Sequence, residues 1–446
     1  MDLTKGPVLS LMLRFCLPIL LGNIMQQLYN MVDAAIVGKF VGTSALAAVG
    51  ATGSITFLII GFVDGMCAGF AIPIARSFGA GDHRLLRKCI VNMIYLGAFF
   101  AAVLTVGTSL ALRWLLTVMD FPGDIFADSL IYLRVVFIGI PATIFYNAQA
   151  GMLRALGNSR TPLLVLMLAS VINIVLDLVF VCVLDLGVFG VAIATMISQV
   201  TSGIVCFIYI VKKYPELHWT KDEAKFVPAI AWRLFMSGIP MALQYSITAI
   251  GSVLIQVAVN NLGSDVVAAV TAANKVQSFV HLPFSTLGVT LSTWCGQNMG
   301  ARDYGRIRKG VNTGLAMAMV YSAAMGVMMF FCGEYISLIF LDKNEPMLET
   351  LLGYIRRFIR SNCILYIPLG ILTVYRFSLQ GLEYGVAAMF AGLFEMVARS
   401  VVALYFAGTY GFGAICFANP AAWIAACVLL VPAYFIIIPR VKKKLT

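Results

Sequence analysis

Charge is what this chain has least of. Of 446 residues only 11% are Asp, Glu, Lys or Arg, against about 25% in soluble domains. With 61% hydrophobic residues beside that, a water-soluble globular fold is excluded and most of the chain must lie in lipid. Histidine is almost missing: His83, His218 and His281 stand alone in sequence, with no nucleophile–base pattern around them, so no enzyme is expected. The ten cysteines form no CxxC pair and have no histidine at metal-binding spacing; most sit in apolar runs as small hydrophobes. There is no Walker sequence, which leaves an ion gradient rather than ATP hydrolysis by this chain as the energy source. Gly408-Thr-Tyr-Gly-Phe-Gly413 has no strand before it and is no dinucleotide fingerprint, so no cofactor is implied. The strict alternation of a transmembrane barrel is absent too.

What the chain has is continuous apolar runs of helical length. They fall near 11–37, 49–75, 89–112, 130–153, 163–184 and 190–211, then near 234–258, 266–295, 310–332, 358–378, 387–406 and 414–438. The expected fold is an all-α integral membrane protein of twelve transmembrane helices. The first run is too long for the apolar core of a signal peptide and lacks a small-residue cleavage site, so it reads as an uncleaved span.

The net charge of +11 is topogenic rather than a nucleic-acid footprint. Arg76, Arg84, Arg87 and Lys88 share a loop, Arg154 and Arg160 the next but one, and Lys212, Lys213, Lys221 and Lys225 the centre. Arg302, Arg306, Arg308 and Lys309 follow, and Arg440, Lys442, Lys443 and Lys444 close the chain. All fall on one side if the spans alternate, which puts both termini in the cytoplasm. The opposite loops are short or acidic, with Asp120, Asp124 and Asp128 in one and Glu334, Asp342, Glu345 and Glu349 in another.

The chain also repeats itself. Phe78-Gly-Ala-Gly-Asp-His-Arg-Leu-Leu-Arg-Lys88 returns as Met299-Gly-Ala-Arg-Asp-Tyr-Gly-Arg-Ile-Arg-Lys309, with Gly300 following Gly79 by 221 positions. Val41-Gly-Thr-Ser-Ala-Leu-Ala-Ala-Val49 returns at the same interval, and Pro18 and Pro240 open corresponding helices. We therefore expect two six-helix lobes, 1–211 and 234–446, joined by a cytoplasmic linker at 212–233 and related by a pseudo-two-fold axis along the membrane normal.

The fifth run carries Asn173 and Asp177, four residues apart and so on one helix face. An aspartate facing lipid at a helix centre costs about 2.5–3.5 kcal/mol, so Asp177 must face protein or water. In the first run Gln26, Asn30 and Asp33 form a polar stripe at spacings of four and three. Both acids lie in the outer half of their spans and can share one level. Two carboxylates in a low-dielectric pocket do not cheaply both ionise; one keeps a proton, or a cation sits between them. Asp64, mid-span among glycines, is either a cavity-facing substrate contact or a partner for a nearby cation. Glu395 and Arg399, four apart, read as a structural ion pair; Arg360 and Arg376, near span ends, are expected to snorkel, and Lys275 to face the cleft.

Val32-Asp-Ala-Ala-Ile-Val-Gly38, Gly42-Thr-Ser-Ala-Leu-Ala-Ala48, the paired Gly-Ala-x-Asp loops, Leu153-Arg-Ala-Leu-Gly-Asn-Ser-Arg-Thr-Pro162, Asn173-Ile-Val-Leu-Asp177 and Gly187-Val-Phe-Gly-Val-Ala-Ile-Ala-Thr195 together resemble the MATE family, the multidrug and toxic compound extrusion transporters. The resemblance spans nearly the whole chain. It implies a two-lobed, multi-pass exporter of the plasma (inner) membrane, driven by H+ or Na+ antiport. It also implies that Asp33, Asn173, Asp177 and Thr195 form the coupling cluster and the ligand set for Na+ if Na+ is the ion. Gln26, Asn30, Asp64, Tyr132 and Asn147 are the candidates for the substrate cavity. Some Na+-coupled members carry a glutamate in the seventh span; Leu243-Gln-Tyr-Ser-Ile-Thr-Ala249 has none, which argues against a second cation site there. Amphipathic organic cations are the expected cargo, the bilayer the only other partner, no nucleic acid, and a monomer the expected state. A flippase for lipid-linked oligosaccharides or lipids, from the same superfamily, is the alternative.

Overall fold

The computed structural model describes residues 1–119, 121–341 and 347–445; Asp120, Asp342 and Glu345 of the acidic loops lie outside them. Every regular element among the described residues is helical. In chain order these are α1 (Val8–Ile36), α2 (Thr43–Ala51), α3 (Gly53–Gly79), α4 (His83–Val118), α5 (Gly123–Ile138), α6 (Ile140–Ala155), α7 (Arg160–Leu178), α8 (Gly187–Lys213) and α9 (Pro228–Asn260). There follow α10 (Ser264–Gly300), α11 (Tyr304–Ser337), α12 (Leu348–Cys363), α13 (Tyr366–Gly381), α14 (Gly385–Val401), the short α15 (Ala407–Tyr410) and α16 (Phe412–Cys416), and α17 (Ala418–Leu445). Single π-turns extend α1, α7 and α14, at Val37–Val41, Val179–Val183 and Val402–Phe406. A helix satisfies its own backbone, which lipid cannot do, and this is why apolar runs of this length fold so.

Nine helices among the described residues are long and apolar enough to cross a membrane unaided. Two bent pairs raise the number to eleven: α5 with α6, at 47°, and α12 with α13, at 49°. Each break lies just before a proline, Pro141 or Pro368, whose ring cannot follow a helical turn without loss of a backbone bond. α10 is the remaining long helix. Its 37 residues reach far enough, but Asn274, Lys275, Gln277, His281, Gln297 and Asn298 make it too polar to count by hydropathy alone. Leu110, Val183 and Ile339 are about three-quarters or more exposed, as side chains that face lipid are. The chain is a multi-pass membrane protein.

The chain divides into two compact units, one of 1–5 with 13–242 and one of 6–12 with 243–446. In the first, α3 packs along α6, and α7 and α6 along α8; in the second, α14 packs along α17 and α10 along α13. The polar stretch after α8 is fastened to α4 in the first unit. Arg87 grips Glu223 with two bonds of 2.7 Å and donates to the Glu216 carbonyl; Tyr95 donates to the Ala224 carbonyl, and Val227 N–H to Asn92. The Arg87 guanidinium holds the Glu223 carboxyl at about 2, well below the usual carboxylate range.

The sequence repeat has a physical cause inside each unit. The turn after α3 closes with Asp82 N–H on the Ser77 carbonyl, and the turn after α10 with Asp303 N–H on the Asn298 carbonyl. Gly81 and Arg302 take up the left-handed backbone, at φ 68° and 57°. Asp82 and Asp303 then cap α4 and α11, each accepting a backbone N–H three residues on at 2.8 Å. Gly-Ala-x-Asp is thus a helix stop followed at once by a helix start.

Candidate functional site

In the first unit α1, α7, α8, α5 and α6 bring polar side chains to one place. Asp177 is fully buried near the end of α7, and Asn173, one turn earlier on the same face, is 2% exposed. The half-buried Asp33 of α1 comes within hydrogen-bonding reach of the Asp177 carboxyl group. The Asn173 amide nitrogen, turned so that donor meets acceptor, lies 3.0 and 3.3 Å from the two Asp33 oxygens. Neither Asp177 oxygen finds a donor among the described residues. The cause is plain: two carboxylates facing each other both accept, and only a proton or a cation between them supplies what is missing.

Thr195 of α8 donates its hydroxyl proton to the Val191 carbonyl at 3.1 Å, which leaves its oxygen lone pairs free. Thr195 and Asn173 line a cavity of about 20 Å³ with Tyr29, Tyr146, Ser198 and Gln199. That volume holds roughly one water. The Ser198 hydroxyl and the Gln199 carbonyl are buried there without partners among the described residues. Asn173 and Thr195, which both line this cavity, carry neutral oxygens of the kind that suit a hard monovalent cation, and Asn173 also reaches Asp33. No group of three or more His, Cys, Asp or Glu side chains at metal-binding distance occurs among the described residues, so a transition-metal centre has no ligand set here.

The other candidates spread over a wider area. Tyr132 of α5 lies close enough to feel both Asp33 and Asp177. Gln26 bonds to Tyr29, and Tyr29 in turn lies in the field of Asp33 and of Asp64. Asp64 on α3 is exposed and takes a 2.7 Å bond from the Asn147 amide, with Arg154 near enough to act on it electrostatically. Asn30 is exposed on α1. Tyr29, Tyr146, Ser198, Gln199 and Ser202 were not singled out from sequence as site residues. The signal was there: Thr195, Ser198, Gln199 and Ser202 stand at helical spacings of three and four, a polar stripe on an otherwise apolar span.

In the second unit one expectation is overturned. Arg376 does not snorkel to a span end; it is 8% exposed and paired with Glu395. Arg399, 6% exposed, holds the same carboxylate more loosely, at 3.8 Å. Proximity in space, invisible in sequence, makes Arg376 the better partner than the residue at i+4. Arg360 is half-buried, with its guanidinium over the Phe330 ring. Lys275 is exposed, its ammonium 5.7 Å from the Phe340 ring centre.

Helical spans with buried acids turned to protein define a polytopic membrane protein with an interior polar site. Comparison with known proteins narrows this. The MatE family model matches residues 18–179 and again residues 240–405, the two matches starting 222 positions apart as Pro18 and Pro240 do. The chain belongs to the MatE family. It is 27% identical to a probable multidrug resistance protein, YoeA, of Bacillus subtilis over 77% of this chain and 76% of that one. It is 23% identical to a probable multidrug resistance protein, NorM, of Thermotoga maritima over 75% and 72%. A crystal structure of MATE in complex with MaL6 superposes with a TM-score of 0.90 over 99% of both chains at 22% identity. The fold is that of the MATE transporters: all-helical, twelve spans in two lobes.

Proposed function

We propose that this protein is a secondary active multidrug exporter, an antiporter that expels amphipathic organic cations against an inward flow of H+ or Na+ by alternating access of lobes 1–211 and 234–446, joined by the linker 212–233. It acts as a transporter and not an enzyme, without a cofactor, as a monomer in the plasma (inner) membrane, with both termini cytoplasmic. The observation that carries the reading is the buried Asp177 carboxyl group, facing Asp33 and without a donor among the described residues. Such a pair is neutralised by a proton or by a small cation, and loses that neutrality when the cation leaves. Asp33 and Asp177 would hold Na+ with Asn173 and Thr195, and the ion would supply charge compensation there. Tyr132 and the Gln26–Tyr29 pair keep the acids positioned, Asp64 with Asn147 offers a second negative group to cationic cargo, and Asn30 adds a polar contact to the substrate cavity. Membership in the MatE family and relatives named as multidrug resistance proteins support the exporter part of the reading.

The test is dye efflux from inverted vesicles under separately imposed pH and Na+ gradients. One gradient is expected to drive a cationic dye, and Asp33→Asn and Asp177→Asn each to abolish that drive. Intact gradient-driven efflux in both variants would remove the coupling role. If neither gradient moves any cationic dye in the wild type, the flippase reading takes its place.

A further inference from the structure

Near the end of α14 the second unit holds two guanidinium groups against one carboxylate. Arg376, Glu395 and Arg399 are all less than a tenth exposed. Arg376 and Arg399 both reach Glu395, and Arg399 also donates to the Thr248 carbonyl at 3.4 Å. Gly251 makes the room, since a Cβ there would stand 3.2 Å from Arg399 Cδ. Among the described residues, Glu395 is the one carboxylate within ion-pair distance of these arginines; Tyr245, Cys427 and His281, which also interact with them, are not carboxylic acids. The cluster therefore carries one positive charge in excess, inside a membrane span, where a lone charge costs several kcal/mol.

It also has bonding capacity to spare. The Nε atoms of both arginines and the Gln380 side-chain carbonyl are buried with no partner among the described residues. Gln380 donates to Gln244 at 2.5 Å, and from Gln244 a polar row continues along α9 at four-residue spacing through Thr248, Ser252 and Gln256 to Asn260. Ser252 and Asn260 are exposed, so the row leads from the arginines to an open helix end.

The first unit has the same plan with opposite sign. There the pair Asn173 and Asp177, four apart, lies just before the π-turn Val179–Val183; in the second, Glu395 and Arg399, four apart, lie just before Val402–Phe406. The stripe of Gln26 and Asn30 recurs as Thr248 and Ser252 at the 222-residue interval of the prolines, but Asp33 meets Ile255. An acid site has become a basic one.

We propose that Arg376, Glu395 and Arg399 form a receptor for one monoanionic oxygen acid, a carboxylate or phosphodiester, whose single charge balances the cluster. The planar fork of an arginine matches two acid oxygens at once. The inference deepens the exporter reading, because it adds an acid group to the cargo that reading describes.

Equilibrium binding of a rhodamine free acid and its methyl ester tests this, by fluorescence anisotropy with the full chain in phosphatidylcholine nanodiscs. The two dyes share a cationic ring system and differ in one carboxylate. The acid is expected to bind about tenfold more tightly than the ester. Arg376→Gln and Arg399→Gln should each abolish that preference with ester affinity within about twofold of wild type, and Glu395→Gln, which leaves both guanidiniums, should enlarge it. A merely structural brace would instead weaken both dyes alike, and that result overturns the proposal, as does wild type with no preference for the acid or no binding of it. If a glutamine variant does not fold, Arg399→Lys is read in its place and must keep part of the preference. Phosphatidylglycerol in the discs separates the sources: suppression of the acid's advantage assigns the site to a lipid phosphate, persistence to cargo, and either upholds the oxyanion site. No gradient enters the assay, so ester binding without acid preference sinks this proposal and leaves the exporter reading untouched.

Discussion

Asp177 shows how far one residue can be read. Its depth in an apolar run and its distance of four from Asn173 mark it from sequence, and the structure adds that it faces Asp33 and has no donor among the described residues. Because the Asp177 carboxylate accepts no hydrogen bond among the described residues, Asp177→Asn should leave the thermal midpoint unchanged or raised while gradient-driven efflux is lost. Efflux assays and thermal unfolding on the same preparation check both halves. Arg376 shows the opposite case. Its place in the sequence suggests a snorkelling end, yet its partner stands on the following helix, 19 residues on. Pairing across a loop leaves no periodic trace, so Glu395 was matched with Arg399 alone. Tyr29 and Tyr146 were missed for a related reason: a tyrosine in a span looks like any aromatic until the fold brings it to the wall of a cavity.

At the level of the element, close packing decides which glycines matter. A Cβ at Gly69 of α3 would come 2.4 Å from the Ser237 carbonyl and 2.5 Å from Gly238 Cα of α9, both backbone atoms in the same unit. Gly69→Ala is expected to cost about 1–3 kcal/mol as overpacking. Gly107→Ala on α4, where a Cβ meets nothing within 4 Å, should stabilise by about 0.5–1 kcal/mol through helix propensity. Chemical or thermal unfolding in detergent compares the two. The linker makes a pH prediction. Glu223 lies at about 2 when paired with Arg87, below an ordinary carboxyl group. Its stabilising effect is therefore complete above the unfolded value of about 4.3 and fades as the pH drops through 2. Amide exchange in residues 216–227 should stay slow from pH 7 to pH 5 in the wild type. In Glu223→Gln it should already be fast at pH 7, an outcome that a passive linker would not give. The acids Asp82 and Asp303 were legible as a repeated motif, whereas their function as helix caps after a left-handed turn needed backbone angles.

For the whole molecule, the decisive experiment is the one on intact vesicles. If the reading is right, one imposed gradient moves a cationic dye and the other does not, and the two single-aspartate variants respond to neither. The twelve apolar runs and the two-fold repetition were set by the sequence alone, because lipid leaves a backbone only the helix and a span has a fixed length; the helix ends and the two breaks, before Pro141 and Pro368, were not. α10 is the instructive span among them: its apolar run is visible, but its polar residues keep it below the hydropathy of a free-standing span; packed along α11, α12 and α13 it buries Gln277, Gln297 and Asn298 and leaves Asn274 and Lys275 exposed. The polar faces of single helices were set by sequence as well, since a period of 3.6 is local. What only the tertiary structure decided is which of those faces meet: Asp33 with Asp177, Asn147 with Asp64, Arg376 with Glu395. Such partners lie 19, 83 and 144 residues apart (376 to 395, 64 to 147, 33 to 177), on different helices, and helix periodicity carries no information across the breaks between them. Their pairing follows from the low dielectric of the interior, where each polar group must find another or stand alone at a cost of several kcal/mol.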